Sequence, residues 1–168
     1  MADPIMDRVP PHNHEAEQAV IGAIFLDSST LITASEILRP DDFYRSAHQK
    51  IFETFTRLSD QGKGIDVVTV TEELSSKKEL ENVGGVAYIM ELANAVPTAA
   101  NVGHYAKIVE EKALLRRLIH VATKIVEDGY TREDEVESLL GEAERKVMEV
   151  ANRKNASDFR HIKDVLVN

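Results

Sequence analysis

The chain has 168 residues, long enough for one domain with its own core and an appendage, but short for two full domains. It contains no Cys, which excludes disulfide bridges and thiolate metal sites. The formal net charge of -9 (20 Lys and Arg against 29 Asp and Glu) argues against a surface devoted to binding phosphates. With no long apolar run and no basic-then-apolar start, neither a membrane span nor a signal peptide is predicted, and we expect a cytoplasmic protein.

The first 61 residues indicate three helices behind a Pro-rich start. Residues 1–12 are unpatterned and predict a flexible arm. Asn13 is a favourable N-cap for the first helix, in which Gly22 suggests close packing. Pro40 ends the second helix, and the third runs from about 46 to 61.

The next segment combines strand propensity with a helical pattern. The run VVTVT favours a strand locally. However, Asp66 is a good N-cap, and Val67, Val70 and Leu74 share one helical face. We therefore predict a helix over about 67–76.

A fifth helix is predicted over about 86–95, following Gly84 and Gly85. The positions that face inward in this helix are Val86, Ile89, Leu92 and Ala93. Tyr88 and Glu91 are then expected to point elsewhere, and the aromatic ring of Tyr88 is a candidate anchor for a partner.

The longest uninterrupted pattern runs from Asn101 to about Gly129 and predicts one helix of about 40 Å. The C-terminal half of this helix is apolar on two sides. One side carries Leu114, Leu118, Val121 and Ile125, and the other carries Leu115, Ile119, Ala122 and Val126. The second apolar side is explained equally well by burial within this chain and by a partner chain.

A second long helix follows after a short connection and predicts an antiparallel hairpin. Its inner stripe is predicted to be Val136, Leu140, Ala143, Val147 and Val150. Leu139 and Met148 lie off this stripe. The sequence thus predicts an all-α fold in which a globular helical domain over residues 13–96 precedes a helical hairpin over 97–151.

The remaining residues, 152–168, are predicted to form a linker and the start of a linker helix. NRKNAS is a polar spacer without a cap. Beyond it, one face of a short helix carries Phe159, Ile162, Val165 and Leu166. Such a helix is marginal alone, so we expect this face to dock on another surface.

Motifs for chemistry are incomplete. Residues 14–18 spell HEAEQ, in which Gln18 stands where the zincin helix has its second His. Gly62, Lys63 and Gly64 resemble the end of a phosphate loop, but the upstream Gly is Arg57 and no Ser or Thr follows. We therefore predict no catalytic, cofactor-binding or metal-binding residues.

Five separate stretches, in order, carry a resemblance that covers nearly the whole chain. They are PPHNHEAEQAVIGAIFLD, RPDDFYRSAHQKIF, IDVVTVTEEL, GGVAYIMELANAVPTAANVGHYAKIVEEKALLRRLI and EAERKVMEV. The sequence resembles the N-terminal region of the bacterial replicative DNA helicase, the DnaB family. The resemblance implies a non-catalytic collar domain of a hexameric ring, in which subunits pair and the C-terminal helical domain of primase docks. ATP and Mg²⁺ would belong to a motor domain that these residues do not contain.

The resemblance also implies positions for the partners. Primase contacts would be Glu15, Tyr88, Ile119, Ile125 and Leu140. The linker helix is similar to one that packs on the motor domain of the adjacent subunit, and a helicase loader is a further candidate partner for it. DNA would be contacted mainly through the motor domain.

The residues leave two other interpretations open. The first is a nucleic-acid-binding helical module that uses the basic face of the long helix, formed by Lys112, Arg116, Arg117, His120 and Lys124. Ordinary solvated charge explains the same residues, and a steep salt dependence of affinity would identify phosphate contacts. The second, weaker alternative is a metal-dependent hydrolase, which a metal assay would test.

Overall fold

The computed structural model describes residues 8–131, 133 and 135–167, with side chains described up to Arg153. The described residues contain helices and irregular backbone but no strand, which confirms the predicted all-α class. The α-helices are α1 (His14–Leu26), α2 (Thr30–Ile37), α3 (Ser46–Asp60), α4 (Val67–Ser76), α5 (Gly85–Ala93), α6 (Val102–Thr131) and α7 (Val136–Val167). Within the described residues, no helix is long and apolar enough to cross a membrane.

The chain divides into two compact units. The first, called the core unit below, is His12–Glu111. The second, called the hairpin unit, combines Lys112–Asn168 with the residues before His12. Because α6 belongs partly to each, its residues 102–111 are described with the core unit and its residues 112–131 with the hairpin unit.

In the core unit, α1 is the most deeply buried helix. The Asn13 side chain accepts a hydrogen bond from the Ala16 backbone N–H at 2.9 Å, as predicted for an N-cap. Gly22 lies directly against α5, since a Cβ at this position would meet the carbonyl oxygen of Leu92 at 2.7 Å. The close packing predicted from this glycine is thereby confirmed.

Three phenylalanines form the aromatic centre of the core. Phe43 and Phe52 pack with ring centroids 5.1 Å apart, and Phe55 is fully buried. The largest buried aliphatic side chains around them are Ile21, Ile24, Leu38, Ile51, Leu58, Leu74, Ile89 and Leu92. These residues come from four helices, α1, α3, α4 and α5, and from the segment after α2, so the core depends on all of them at once.

The helix predicted over 67–76 is α4, despite its strand-like composition. Asp66 accepts a hydrogen bond from the Thr69 N–H at 2.8 Å, and the Thr69 hydroxyl lies 3.0 Å from the Asp66 N–H. This reciprocal capping box starts the helix, and Val70 and Leu74 are then fully buried. Capping and burial therefore outweigh the β propensity of the valines.

In the hairpin unit, α6 and α7 follow each other after a short connection, and Lys146 Nζ on α7 lies 3.5 Å from Asp128 Oδ2 on α6. This ion pair joins the end of α6 to the third turn of α7, as in an antiparallel hairpin. The predicted inner stripe of α7 is wrong in part, because Val136 and Leu140 are 69% and 65% exposed. Leu139, predicted to face outward, is half-buried. The spacing of the apolar residues is compatible with either Leu139 or Leu140 facing inward, because both are apolar and adjacent.

The predicted break near Asn152 is also wrong at the level of the backbone, because α7 continues to Val167. The segment NRKNAS is polar but contains neither Gly nor Pro, and its residues are compatible with helical backbone. Polarity alone therefore does not end a helix. The division into domain, hairpin and linker stays a prediction.

Candidate functional site

A buried carboxylate organises the polar interior of the core unit. Glu17, on α1, is 1% exposed, and its Oε1 lies 2.7 Å from Nδ1 of the fully buried His48. Its Oε2 accepts the backbone N–H of Tyr44 at 2.7 Å, and Oε1 accepts that of Arg45 at 3.4 Å. The carboxylate thus connects α1 to the turn that begins α3.

The second ring nitrogen of His48 extends this network to α5. His48 Nε2 lies 2.7 Å from the hydroxyl oxygen of Tyr88, which also accepts a hydrogen bond from Gln18 Nε2 at 3.2 Å. The rings of His48 and Tyr88 are nearly parallel, with centroids 6.0 Å apart. Three helices that are distant in sequence are therefore joined by short hydrogen bonds.

The electrostatics favour an ionised Glu17. Burial alone raises the pKa of this carboxyl group. The hydrogen bonds that Glu17 accepts from His48, Tyr44 and Arg45 act against burial, and the pKa of Glu17 lies below its ordinary value of 4.5. The buried carboxylate is therefore an acceptor, and its partners are donors.

A second histidine lies next to this network. The His14 ring packs on the His48 ring with centroids 5.4 Å apart. Burial, followed by the positive charge of Arg45 and the neighbouring His48, lowers the pKa of His14 below 6.5. Within the described residues, no group of three or more His, Cys, Asp and Glu could hold a metal ion.

The structure corrects the position predicted for Tyr88. Its ring packs against the core and its hydroxyl points to His48, whereas Val86, predicted to face inward, is 44% exposed. The helical pattern missed this because Tyr88 satisfies its polar end through a residue 40 positions away. Tyr88 is nevertheless only half-buried, so part of the ring remains accessible.

Sequence reasoning also missed Glu17 and His48, although a signal existed for both. Glu17 is followed one helical turn later by Val20 and Ile21, and His48 shares a face with Ile51 and Phe52. A charged or titratable group inside such a face needs a buried partner. Periodicity identifies the need but does not identify the partner.

The other predicted primase contacts occupy different parts of the chain. Glu15 is exposed in the first turn of α1, one turn before Gln18, which reaches Tyr88. In the hairpin unit, Ile119 is exposed, Ile125 is half-buried and Leu140 is exposed. Glu15 and Tyr88 thus share the core unit, and the other three share the hairpin unit. The side chains of Phe159, Ile162, Val165 and Leu166 lie outside those that the structure describes.

The basic face of α6 is partly neutralised by neighbouring groups. Lys124 Nζ lies 3.8 Å from Glu127 and 3.9 Å from Asp128, and Arg116 donates a hydrogen bond to the carbonyl oxygen of Pro11 at 2.8 Å. Such pairing reduces the positive potential available to phosphates. The structure adds no support for a nucleic-acid interface here.

Comparisons with known proteins agree with this helical architecture. Residues 9–111 match the model of a protein family described as the DnaB-like helicase N terminal domain. The replicative DNA helicase DnaC of Bacillus subtilis (strain 168) is 62% identical over 167 residues, which is 99% of this chain and 37% of that protein. The chain therefore spans a little over a third of that relative and matches no more of it.

Two solved structures share the fold. The crystal structure of the N-terminal domain of DnaB helicase from Mycobacterium tuberculosis matches with a TM-score of 0.80 and 40% identity, covering 84% of this chain and 99% of that one. A structure of a DnaB-like replicative helicase and its interactions with primase matches with a TM-score of 0.68 and 26% identity, covering 82% and 31%. The family model covers more than half of the sequence, which is enough to assign the family. The chain belongs to the DnaB-like helicase N-terminal domain family.

Proposed function

We propose that this chain is the non-catalytic collar domain of a hexameric replicative helicase, which mediates subunit assembly and docks the C-terminal helical domain of primase. The observation that carries the proposal is the row of large apolar side chains exposed on α6 and α7. Its members include Leu115, Leu118, Ile119, Val126, Val136, Leu140, Val147 and Met148. Exposed apolar surface of this extent is typical of a protein interface.

The proposed primase contacts are taken for each unit by itself. Tyr88 offers a rigid aromatic ring, and Ile119 offers an exposed aliphatic side chain in the doubly apolar half of α6. Glu15 adds a charge at the start of α1, while Ile125 and Leu140 extend the apolar area. The similarity to the solved DnaB-like replicative helicase and its interactions with primase supports primase as the partner.

The decisive experiment measures primase affinity and thermal stability for Tyr88→Ala and Ile119→Ala. Each substitution removes an anchor, so we expect a loss of about 2 kcal/mol or more, which is roughly thirtyfold in Kd. Ile32→Ala is a matched control, because Ile32 is 68% exposed on α2 and lies outside the proposed surface. Unchanged affinity in both test variants, with folding intact, would place the primase site elsewhere.

We propose that the hairpin unit also mediates subunit assembly. We infer that the apolar residues not used by primase pair with a second copy, in dimers within the ring, and that the linker helix binds the adjacent subunit's motor domain or a loader. ATP and Mg²⁺ would act in that motor domain, in the cytoplasm. Sedimentation with and without primase's C-terminal domain measures both steps. A monomer at every concentration, with no primase complex, would contradict the proposal.

A further inference from the structure

The hydroxyl group of Tyr88 is held inside the core unit, although its ring belongs to the proposed primase surface. His48, which holds this hydroxyl, is fully buried and has a 2.7 Å contact at each ring nitrogen. Glu17, at the other end, is fixed by the backbone N–H groups of Tyr44 and Arg45. The accessible side chain of Tyr88 is thus connected, through the buried side chains of His48 and Glu17, to backbone N–H groups at the start of α3.

In this network of hydrogen bonds, the available donors and acceptors determine which group donates in each bond. An ionised Glu17 only accepts, so Nδ1 of His48 carries the proton. In the neutral imidazole, Nε2 then accepts the hydroxyl proton of Tyr88, and Gln18 donates to the hydroxyl oxygen. The Glu17 carboxylate, both ring nitrogens of His48 and the Tyr88 hydroxyl each have a partner in this arrangement, which favours one orientation of the Tyr88 side chain.

We propose that Glu17 and His48 are positioning residues for primase docking, which hold Tyr88 in the orientation that primase binds. The inference rests on the proposed function, because it concerns how the same surface is prepared for its partner. Ordering a mobile side chain opposes binding, so prior fixation improves the affinity. Releasing Tyr88 should weaken primase binding by about twofold to tenfold, less than removing its ring.

Two substitutions at His48 separate positioning from folding. The amide of Asn reaches the place of Nδ1, so His48→Asn keeps the donor to Glu17 but loses Tyr88. The amide of Gln reaches the place of Nε2, so His48→Gln keeps Tyr88 but leaves Glu17 with backbone donors only. We expect His48→Asn to weaken primase binding and His48→Gln to retain most of it, although the Gln variant is the less stable. The reverse order of affinities would overturn the proposal.

A double-mutant cycle with Tyr88→Phe provides the second test, with affinity for primase's C-terminal domain as the readout. If His48 acts through the Tyr88 hydroxyl, His48→Asn has little further effect once that hydroxyl is gone. Additive losses would assign His48 a purely structural role and overturn the inference.

Three outcomes keep this test distinct from the test of the proposed function. If neither His48 variant folds, Tyr88→Phe alone decides, because unchanged affinity in this variant overturns the positioning role. If Tyr88→Ala and Ile119→Ala both leave primase binding unchanged, the proposed function of this surface fails, and the positioning role fails with it. A loss in Tyr88→Ala together with unchanged binding in Tyr88→Phe overturns only the further inference.

Discussion

The core unit and the hairpin unit both carry large apolar side chains but expose them to different extents. In the core unit, side chains such as Phe55 and Ile89 are completely buried, and even the charged Glu17 has partners on every side. In the hairpin unit, Ile119 is 46% exposed and Val126 is 56% exposed. The core unit buries its large apolar side chains, whereas the hairpin unit leaves several of its own exposed to solvent.

The difference follows from the number of helices that each unit brings together. A helix that packs on one neighbour covers a single stripe of its surface. α6 carries two stripes over residues 114–126, so a hairpin of two helices leaves one stripe uncovered. The core unit surrounds α1 with α2, α3 and α5, and α1 is buried over most of its length. The surplus apolar surface of the hairpin unit is thus a consequence of geometry and supports a role in association.

The largest expected change in the free energy of unfolding comes from truncating a buried aromatic side chain, and truncating an exposed aliphatic one serves as the comparison. Phe55→Ala leaves a cavity in the core unit and should lower the free energy of unfolding by about 3 to 5 kcal/mol. Val126→Ala in the hairpin unit should change it by less than about 0.5 kcal/mol in dilute monomer. Denaturant titration measures both. A large loss in Val126→Ala at low concentration would contradict the exposed hairpin face.

Local patterns predicted the parts of the fold that depend on neighbours in sequence. The N-cap at Asp66 is readable from one residue, and with the shared helical face of Val70 and Leu74 it correctly outweighed the strand propensity of VVTVT. The cap at Asn13 and the close approach at Gly22 were readable in the same way. In each of these cases the physical cause lies within one or two turns of helix.

Long-range polar pairing was not predictable in this way. Nothing near Tyr88 in sequence indicates that its hydroxyl meets His48 on another helix, so the pattern placed its ring outside. The phase of α7 failed for another reason, because Leu139 and Leu140 are both apolar and only packing decides which is covered. For the proposed site, periodicity therefore found the exposed Ile119 but misjudged the orientation of Tyr88.

The second effect concerns the buried carboxylate and its dependence on pH. Glu17→Gln weakens hydrogen bonds to a charged group and should cost about 1.5 to 3 kcal/mol of unfolding free energy at pH 7. Because the pKa of Glu17 is lowered in the folded state, its contribution is present above pH 4.5 and is lost as the pH falls through the folded value. The difference between wild type and Glu17→Gln should therefore shrink in acid.

A matched carboxylate controls for this acid dependence. Glu53 on α3 is well exposed and pairs with Arg57 at 3.5 Å, so Glu53→Gln should have little effect at any pH. Because the pKa of His14 is also lowered, some stability is lost from about pH 6.5 downward in every variant that keeps His14. An unchanged gap between wild type and Glu17→Gln from pH 7 to pH 3 would contradict an ionised, hydrogen-bonded Glu17.

The third effect tests close packing between helices in the core unit. A methyl group at position 22 would lie 2.7 Å from the Leu92 carbonyl oxygen and 3.1 Å from Cβ of Ala95. Since the first of these atoms belongs to the backbone, α1 and α5 have to move apart. Gly22→Ala should therefore cost about 1 to 3 kcal/mol, measured by thermal or denaturant unfolding. An increase in stability would show that the two helices are less tightly packed than the structure indicates.

The smallest effect is expected at Gly141, a glycine within a helix of the hairpin unit, where substitution by Ala should raise the stability instead of lowering it. Gly141 lies inside α7, is exposed, and would place a Cβ with no atom within 4 Å. Gly141→Ala should therefore stabilise the chain by about 0.4 to 1 kcal/mol, because Ala restricts the unfolded backbone without a clash. The measurement is made in dilute monomer, and sedimentation at higher concentration then tests association. A loss of stability in the monomer would mean that this face of α7 is already covered within the chain, and the contrast between the two units would fail at that position.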